Sequence, residues 1–318
     1  MERAKTTQMN GGMANGGVAY KRTILITGAT DGIGRQVALE LASRTAENFV
    51  IVHGRARKQC ERLLQEIAVE QKTLAPSNVA FIAADFTDFQ QVIQMAREVE
   101  ERHRKLNVFI ACAAVLAKRR LTTKNGLESQ FQINHLAHFA LLNLLLPVLE
   151  RNVPSRILTV GSMLHSLNSI DWTDVNCEKS YDKFIQYSRT NLMQHLMTFC
   201  FHRLSFKHHL EFRVCANIVD ADQRTDRRNY RSTTNGTMAD LSASESHLCA
   251  HSGAVHTLVR LAESPEFAST SGKYYNAVGK EIASSTDVRD VRIQNRLWQL
   301  SAEFCKQLGV ETVASGTL

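Results

Sequence analysis

Residues 23–34, which read TILITGATDGIG, decide the fold of this 318-residue chain. The β-branched and apolar residues 23–27 predict a buried strand, and a helical pattern starts at Gly34. Glycines in a turn between a strand and a helix let backbone amides approach a pyrophosphate, whose charge the helix N-terminus stabilises. The stretch therefore predicts a dinucleotide site. Its residues are Gly28, Thr30, Asp31, Gly32, Ile33 and Gly34.

Strand-like and helical segments alternate along the rest of the chain. Strands are predicted at 23–27, 49–53, 79–83, 108–112, 156–160, 212–218 and 273–277, and helices at 34–44, 60–71, 92–102, 134–149, 187–204, 250–262 and 291–307. The alternation is typical of βαβ units around a parallel sheet. It predicts an α/β fold with a doubly wound parallel sheet, a Rossmann-type three-layer single domain. We expect this domain at 21–310, a disordered leader at 1–20 and a tail at 311–318.

Composition and charge argue against several other classes. The chain is 44% hydrophobic and 22% charged, as in globular proteins that bury a core. The net charge of +7 comes from scattered basic residues with few aromatics between them, so we expect no nucleic-acid partner. The seven cysteines form no CxxC pair, which argues against a metal site and suits the reducing cytoplasm. The longest apolar run, 137–149, is short and interrupted, so we expect a buried helix there and no membrane span.

The end of the second predicted strand indicates which dinucleotide binds. Folds that prefer NAD(H) place a carboxylate there for the ribose 2′-hydroxyl, whereas this chain has His53, Gly54 and Arg55. A guanidinium can bind a 2′-phosphate through two parallel hydrogen bonds. Arg55 therefore favours NADP(H) over NAD(H). The alternative is that Arg55 is simply solvated.

Residues 27–34, TGATDGIG, resemble the cofactor turn of the short-chain dehydrogenase/reductase family, and the similarity continues to about Gly309. The segments at 252–254 and 271–274 are similar to its retinol dehydrogenase-like branch, most closely to the X-chromosome-encoded dehydrogenase/reductase subfamily. The resemblance implies an enzyme that oxidises or reduces a small lipophilic alcohol or carbonyl compound. It also implies a homodimer formed through the helices that begin near Asn134 and Tyr187.

The same resemblance implies roles for individual residues. Asp85 would contact the adenine and Thr225 the nicotinamide carboxamide. Asn134, Ser162 and Tyr187 match the catalytic asparagine, serine and tyrosine. In this family the tyrosine is the general acid, the serine holds the substrate oxygen, and hydride comes from the nicotinamide. Each of these residues also has a plain structural alternative: Asn134 as a helix N-cap, Ser162 as a turn cap and Tyr187 as a packed aromatic residue.

The most consequential departure from the family pattern is Asn191, which stands where the family has a lysine that lowers the tyrosine pKa and holds the ribose. An unperturbed tyrosine has a pKa of about 10, so on the order of a thousandth is phenolate at neutral pH. We expect alcohol oxidation to suffer most and carbonyl reduction to continue at a lower rate. Lys183 and Arg189 are the nearest basic residues along the chain, but neither holds the lysine's position.

Two further departures flank the predicted site. The family's Asn-Asn-Ala-Gly is replaced by residues 111–114, Ala-Cys-Ala-Ala, which lack the bracing amides. The family's Pro-Gly is replaced by Asp220 and Ala221, and a carboxylate there disfavours phosphate unless it turns outward. The polar residues 220–246 predict a loop over a ligand. Two hypotheses stay open: a weak NADP(H)-dependent oxidoreductase, or a catalytically inactive nucleotide-binding or interaction protein.

Overall fold

The computed structural model describes residues 20–207, 214–221 and 246–312. The strands are β1 Arg22–Ile26, β2 Asn48–Gly54, β3 Val79–Ala83, β4 Val108–Ala111, β5 Ser155–Gly161, β6 Val214–Asp220, β7 Tyr274–Tyr275 and β8 Glu281–Ile282. The α-helices are α1 Gly32–Ala42, α2 Arg57–Glu70, α3 Phe89–Arg102, α4 Ala137–Arg151, α5 Lys183–Lys207, α6 Ser246–Glu263, α7 Thr286–Arg289 and α8 Val291–Gln307. A π-helical turn, Phe131–Leu136, precedes α4, and 3₁₀ turns lie at Met163–Ser166 and Pro265–Phe267.

All eight strands form one sheet in the order β3-β2-β1-β4-β5-β6-β7-β8. Neighbouring strands are parallel except β7 and β8, which pair antiparallel. The chain moves outward from β1 to β3 and then returns to add β4 on the other side of β1. In such sheets, ligands bind at the carboxyl ends of the strands where the order reverses. This confirms the predicted doubly wound α/β fold and places the glycine turn at the reversal point.

The core lies on both faces of the sheet. Leu25 and Ile51 point to the face covered by α3, α4, α5 and α8. Their neighbours Ile24, Ile26 and Val50 point to the opposite face, under α1, α2 and α6. Because both faces are buried, the strands read as continuous apolar runs rather than as alternating patterns. The result is the predicted three-layer arrangement.

Several element boundaries differ from the sequence prediction, and three of these lie near the predicted site. Helix α5 begins at Lys183, because the Asp182 carboxylate accepts the backbone N–H groups of Phe184 and Ile185 at 2.8 and 2.9 Å and caps the helix there. Strand β6 extends to Asp220, whose backbone pairs with Gly161 of β5. The helix predicted to start at residue 134 instead begins with the π-helical turn. Most of the predicted loop at 220–246, with Thr225, lies outside the described residues, as do 1–19 and 313–318.

One helical stretch of the described residues, Phe131–Arg151, is long and apolar enough to cross a membrane, with a mean hydropathy of 1.3. The shorter run 137–149, predicted from the sequence to be a buried helix, lies inside this stretch. However, 83% of the apolar window is buried inside the protein. The predicted buried helix is confirmed, since α4 packs its leucines into the core.

Candidate active site

A cavity of about 620 Å³ opens at the carboxyl ends of the central strands. It is lined by all the described residues predicted to bind the nucleotide and by two of the three predicted catalytic residues: Gly28, Thr30, Asp31, Gly32, Ile33, Gly34, Arg55, Asp85, Ser162 and Tyr187. Asn191 also lines this cavity, whereas Asn134 does not. The fold thus brings one glycine turn, one free guanidinium and a serine–tyrosine pair to a common space.

The glycine turn is shaped by close backbone approaches. A Cβ on Gly34 would lie 2.4 Å from the Gly28 carbonyl oxygen, and a Cβ on Gly28 would lie 2.7 Å from the Cα of Ala113. Gly32 has a φ of +52° and no atom within 4 Å of its Cβ position, so its free side faces open space. The Asp31 carboxylate caps α1 by accepting the Gly32 N–H at 2.8 Å. A pyrophosphate fits this turn, because the backbone is bare where the phosphates would approach.

His53 holds the glycine turn through a hydrogen bond to Gly28, a role that its sequence position did not reveal. Its Nδ1 accepts the Gly28 N–H at 3.2 Å, and its Nε2–H donates to the Ala84 carbonyl at 2.9 Å. The ring stacks on Phe86 with centroids 4.4 Å apart. Burial lowers the pKa of His53 to about 4, so the imidazole stays neutral. The only hint of this role in the sequence was that a polar residue, His53, follows the apolar run of β2.

Arg55 and Asp85 lie at the nucleotide end of the cavity. Arg55 is exposed and forms no ion pair with any described residue, which leaves its guanidinium available to an anion. Asp85 is fixed, because its Oδ1 accepts the backbone N–H and the hydroxyl of Thr87 at 2.9 and 2.8 Å. An exposed cation and a fixed carboxylate at this edge suit a phosphate and an adenine, respectively.

Ser162 and Tyr187 meet at the other end of the cavity. Ser162 is buried and begins the 3₁₀ turn, where its Oγ accepts the Leu164 N–H at 3.2 Å. The turn-capping alternative is therefore part of the observed geometry. Tyr187 lies in the second turn of α5 and is half-buried. Both hydroxyl-bearing residues therefore line one cavity.

Asn191 leaves this end of the cavity without a lysine. Its Nδ2 donates to the Tyr187 carbonyl at 2.9 Å, so one amide hydrogen is used within its own helix. Arg189 points elsewhere, because its Nε donates to the Ser169 carbonyl at 3.2 Å, and the Lys183 Nζ lies 4.6 Å from the Phe184 ring centre. Among the described residues that line the cavity, Arg55 is the only arginine or lysine.

Asn134 lies one layer behind the cavity wall. Its Oδ1 accepts the Val115 N–H at 2.8 Å, and its Nδ2 donates to the Val115 carbonyl and the Thr190 hydroxyl at 3.0 and 3.2 Å. The side chain therefore joins the loop after β4 to α5. The N-cap alternative is wrong, since Asn134 lies inside the π-helical turn and none of these bonds caps a helix.

The end of β4 is braced without asparagine side chains. The Thr27 hydroxyl oxygen accepts the backbone N–H groups of Cys112 and Ala113 at 2.9 and 3.2 Å and lies 2.9 Å from His138 Nε2. Burial lowers the pKa of His138 to about 4 and raises that of the Cys112 thiol to about 12. Both side chains are therefore neutral, and Cys112 is no nucleophile at neutral pH.

Asp220 neither turns outward nor lines the cavity. It is 2% exposed and accepts the Tyr274 hydroxyl at 2.5 Å and the Met163 N–H at 3.2 Å. Its carboxylate thus points into the protein, behind Ser162. Ala221, the next residue, lines the cavity instead. The expected conflict between a carboxylate and the phosphates is avoided by this inward orientation.

A sheet with this strand order and a glycine turn at its reversal point defines a dinucleotide-binding protein of the Rossmann type. The family model for short chain dehydrogenase matches residues 22–174. Mouse retinol dehydrogenase 13 is 31% identical over 289 residues, which cover 89% of this chain and 83% of the relative. The chain belongs to the short-chain dehydrogenase family of oxidoreductases, in its retinol dehydrogenase-like branch.

Solved structures agree with the fold. The crystal structure of an uncharacterised Mycobacterium paratuberculosis protein is 26% identical, has a TM-score of 0.71, and the match covers 95% of this chain and 99% of that one. A structure described as a short chain dehydrogenase from Escherichia coli CFT073, complexed with NADPH, is 17% identical with a TM-score of 0.59, and the match covers 82% and 98%. Because the sequence identity to the Escherichia coli structure is only 17%, this match is evidence for the fold and for nothing further.

Proposed function

We propose that the chain is an NADP(H)-dependent oxidoreductase that reduces a lipophilic carbonyl compound at a low rate. The observation that carries this proposal is the single cavity that joins the glycine turn and Arg55 to Ser162 and Tyr187. The relatives named retinol dehydrogenases support the choice of chemistry.

The nucleotide half of the cavity would hold the cofactor through the residues predicted from the sequence. The glycine turn and the N-terminus of α1 would bind the pyrophosphate, Arg55 the 2′-phosphate and Asp85 the adenine. Thr225, outside the described residues, remains the predicted contact to the carboxamide. When bound, the reduced cofactor supplies a hydride.

The other half would hold the reacting carbonyl. The Ser162 hydroxyl would donate to its oxygen, and the Tyr187 hydroxyl would give a proton to the developing alkoxide. Asn134 would act as support, because it fixes the positions of Val115 and Thr190. Carbonyl reduction needs the neutral phenol of Tyr187 as the proton donor.

A lipophilic substrate is supported by an adjoining cavity of about 260 Å³. It shares Leu164 and Phe184 with the main cavity and continues along Leu167 and Ile185. Leu167 and Ile185 are 45% and 39% exposed, so apolar side chains extend the cavity wall toward the solvent, where Asn168 and Asp182 also line it. We further propose a cytoplasmic homodimer, which fractionation and sedimentation would test.

A second candidate function is favoured by Asn191. With a neutral amide in the lysine position, the cavity could capture NADP(H) without efficient hydride transfer. The chain would then be a catalytically inactive nucleotide-binding or interaction protein on the same fold.

The test is an NADPH titration followed by turnover on a carbonyl panel that includes retinal and decanal. We expect NADPH to bind and slow reduction to occur, with Tyr187→Phe lowering kcat by about tenfold or more. Equal rates for the wild type and Tyr187→Phe would support the inactive nucleotide-binding protein. Absence of NADPH binding would overturn both candidates.

Arg55 should decide the preference between cofactors. Arg55→Ala should weaken NADPH binding by about 10- to 100-fold, because a charge-assisted hydrogen bond contributes about 1.5–3 kcal/mol, and leave NADH binding unchanged. Fluorescence titration with both cofactors measures this. Arg57→Ala is the matched control, since Arg57 already pairs with Glu61 at 3.4 Å. A parallel loss of NADH affinity would contradict a specific 2′-phosphate contact.

A further inference from the structure

The peptide bond between Ser162 and Met163 is held from both sides by buried side chains. Its carbonyl oxygen accepts the His165 Nδ1–H at 2.8 Å, and its N–H donates to the Asp220 carboxylate at 3.2 Å. His165 and Asp220 are each 2% exposed. Since a peptide is planar, two such bonds fix the orientation of the backbone from which the Ser162 side chain projects.

On the carbonyl side of this peptide bond, His165 is in turn in contact with Ser284. Because His165 Nδ1 faces a carbonyl, it carries the hydrogen, and Nε2 must accept. Nε2 lies 3.2 Å from the Ser284 hydroxyl and accepts the Ser285 N–H at 3.3 Å. The Ser284 hydroxyl also lies 3.0 Å from His195 Nδ1, so it bridges the two imidazoles. A continuous set of contacts therefore links His195, Ser284 and His165 to the Ser162 carbonyl.

His195 anchors the far end of these contacts. Its ring stacks on His165 with centroids 3.7 Å apart, and its Nε2 is buried without a partner among the described residues. A Cβ on Gly161 would lie 2.8 Å from that nitrogen, so the ring packs directly under the residue before Ser162. Burial lowers the pKa of His195 well below its usual value, which keeps the stacked pair from gaining charge on this ring.

The carboxylate side continues through Tyr274. Its hydroxyl donates to Asp220 at 2.5 Å, and its ring meets the edges of His195 and His165 with centroids 4.7 and 5.4 Å apart. Tyr274 therefore joins the residues that hold the N–H of this peptide bond to those that hold its carbonyl. Asp220 stands where the family has proline, yet together with His165, His195, Tyr274 and Ser284 it forms a shell of side chains behind Ser162.

We propose that Ser284 and Tyr274 are positioning residues for Ser162, in that Ser284 acts through His165 and Tyr274 acts through Asp220. The consequence is a Ser162 hydroxyl directed at the cavity by residues that lie far away in sequence. This inference rests on the proposed function for the use of Ser162, but the geometry of the peptide can be tested without turnover.

The test follows the resonance that correlates the Ser162 carbonyl carbon with the Met163 amide in isotopically labelled protein. Ser284→Ala should move the carbonyl carbon, and Tyr274→Phe should move the amide. The matched controls are Ser285→Ala, whose hydroxyl is buried without a described partner, and Tyr275→Phe, whose hydroxyl makes no hydrogen bond to a described residue. Both controls should leave the resonance in place.

The kinetic arm separates positioning from a general loss of structure. In Ser284→Ala, kcat for carbonyl reduction should fall about tenfold while the NADPH dissociation constant stays unchanged, and Ser284→Thr should recover the rate. The proposal is overturned if the resonance stays in place, if the controls move it equally, or if an active protein keeps its kcat. A wild-type protein that reduces no carbonyl overturns the proposed function, whereas the resonance still decides the positioning claim.

Discussion

Replacing Asn191 by lysine should raise carbonyl reduction and alcohol oxidation at pH 7 by about 100-fold. A cation within about 4–6 Å lowers the pKa of a neighbouring acid by about 1–3 units, and each unit raises the phenolate fraction of Tyr187 about tenfold. Asn191 lines the cavity one helical turn from Tyr187, so an ammonium at its position has room to reach the phenol. At fixed pH, the overall equilibrium links the efficiencies of the two directions, so both should gain.

The pH–rate profile identifies the cause of the gain. Oxidation should rise with pH toward the midpoint that Tyr187 sets, and the lysine variant should shift this midpoint down by about 1–3 units relative to the wild type. Asn191→Met is the control of similar length without charge, and Asn191→Lys combined with Tyr187→Phe removes the titrating group. If Asn191→Lys turns over no faster than Asn191→Met, the missing charge does not limit the chemistry.

The sequence predicted those parts of the molecule that depend on contiguous residues. The glycine turn, its strand and its helix are neighbours in the chain, and the fold class follows from their alternation with similar units. The helix at α5 was also predicted, but not its first residue. A cap depends on one side chain, Asp182, whose preference for the N-cap was masked by the polar residues around it.

The shell behind Ser162 could not be predicted, because its contacts join distant parts of the chain. Ser284 lies 119 residues from His165, and Tyr274 lies 54 residues from Asp220. Nothing local marks these residues as partners. For Asp220 the family pattern alone was misleading. A carboxylate in place of proline suggested repulsion of the cofactor. Its orientation depends instead on Tyr274, which lies on another strand. The predicted roles of the lining residues stay predictions, since proximity in a cavity does not establish contact with a ligand.

Acid should unfold this protein at a mildly acidic pH because of its buried histidines. Burial lowers the pKa of His53 and His138 to about 4, that of His135 to about 3, and that of His195 further below the ordinary value. An unfolded chain protonates these groups near pH 6.5, whereas the folded protein does not. Below pH 6.5 the unfolded state therefore binds more protons, and stability falls as pH decreases toward about 4. Above pH 6.5 these groups contribute no pH dependence.

The expected size of this effect is large. Between pH 7 and pH 5 each such histidine should remove about 2 kcal/mol of folding free energy, so the group should remove about 7 kcal/mol, comparable with the whole stability of a typical domain. Urea unfolding at a series of pH values measures it. His135→Leu is the informative variant, because His135 packs between Phe131 and Phe139 and leucine suits those neighbours. Below pH 6 this variant should reduce the slope of the free energy of unfolding against pH by about 1.4 kcal/mol per pH unit, which corresponds to one proton. A urea midpoint that does not change from pH 7 to pH 5 would show that these imidazoles reach water in the folded protein.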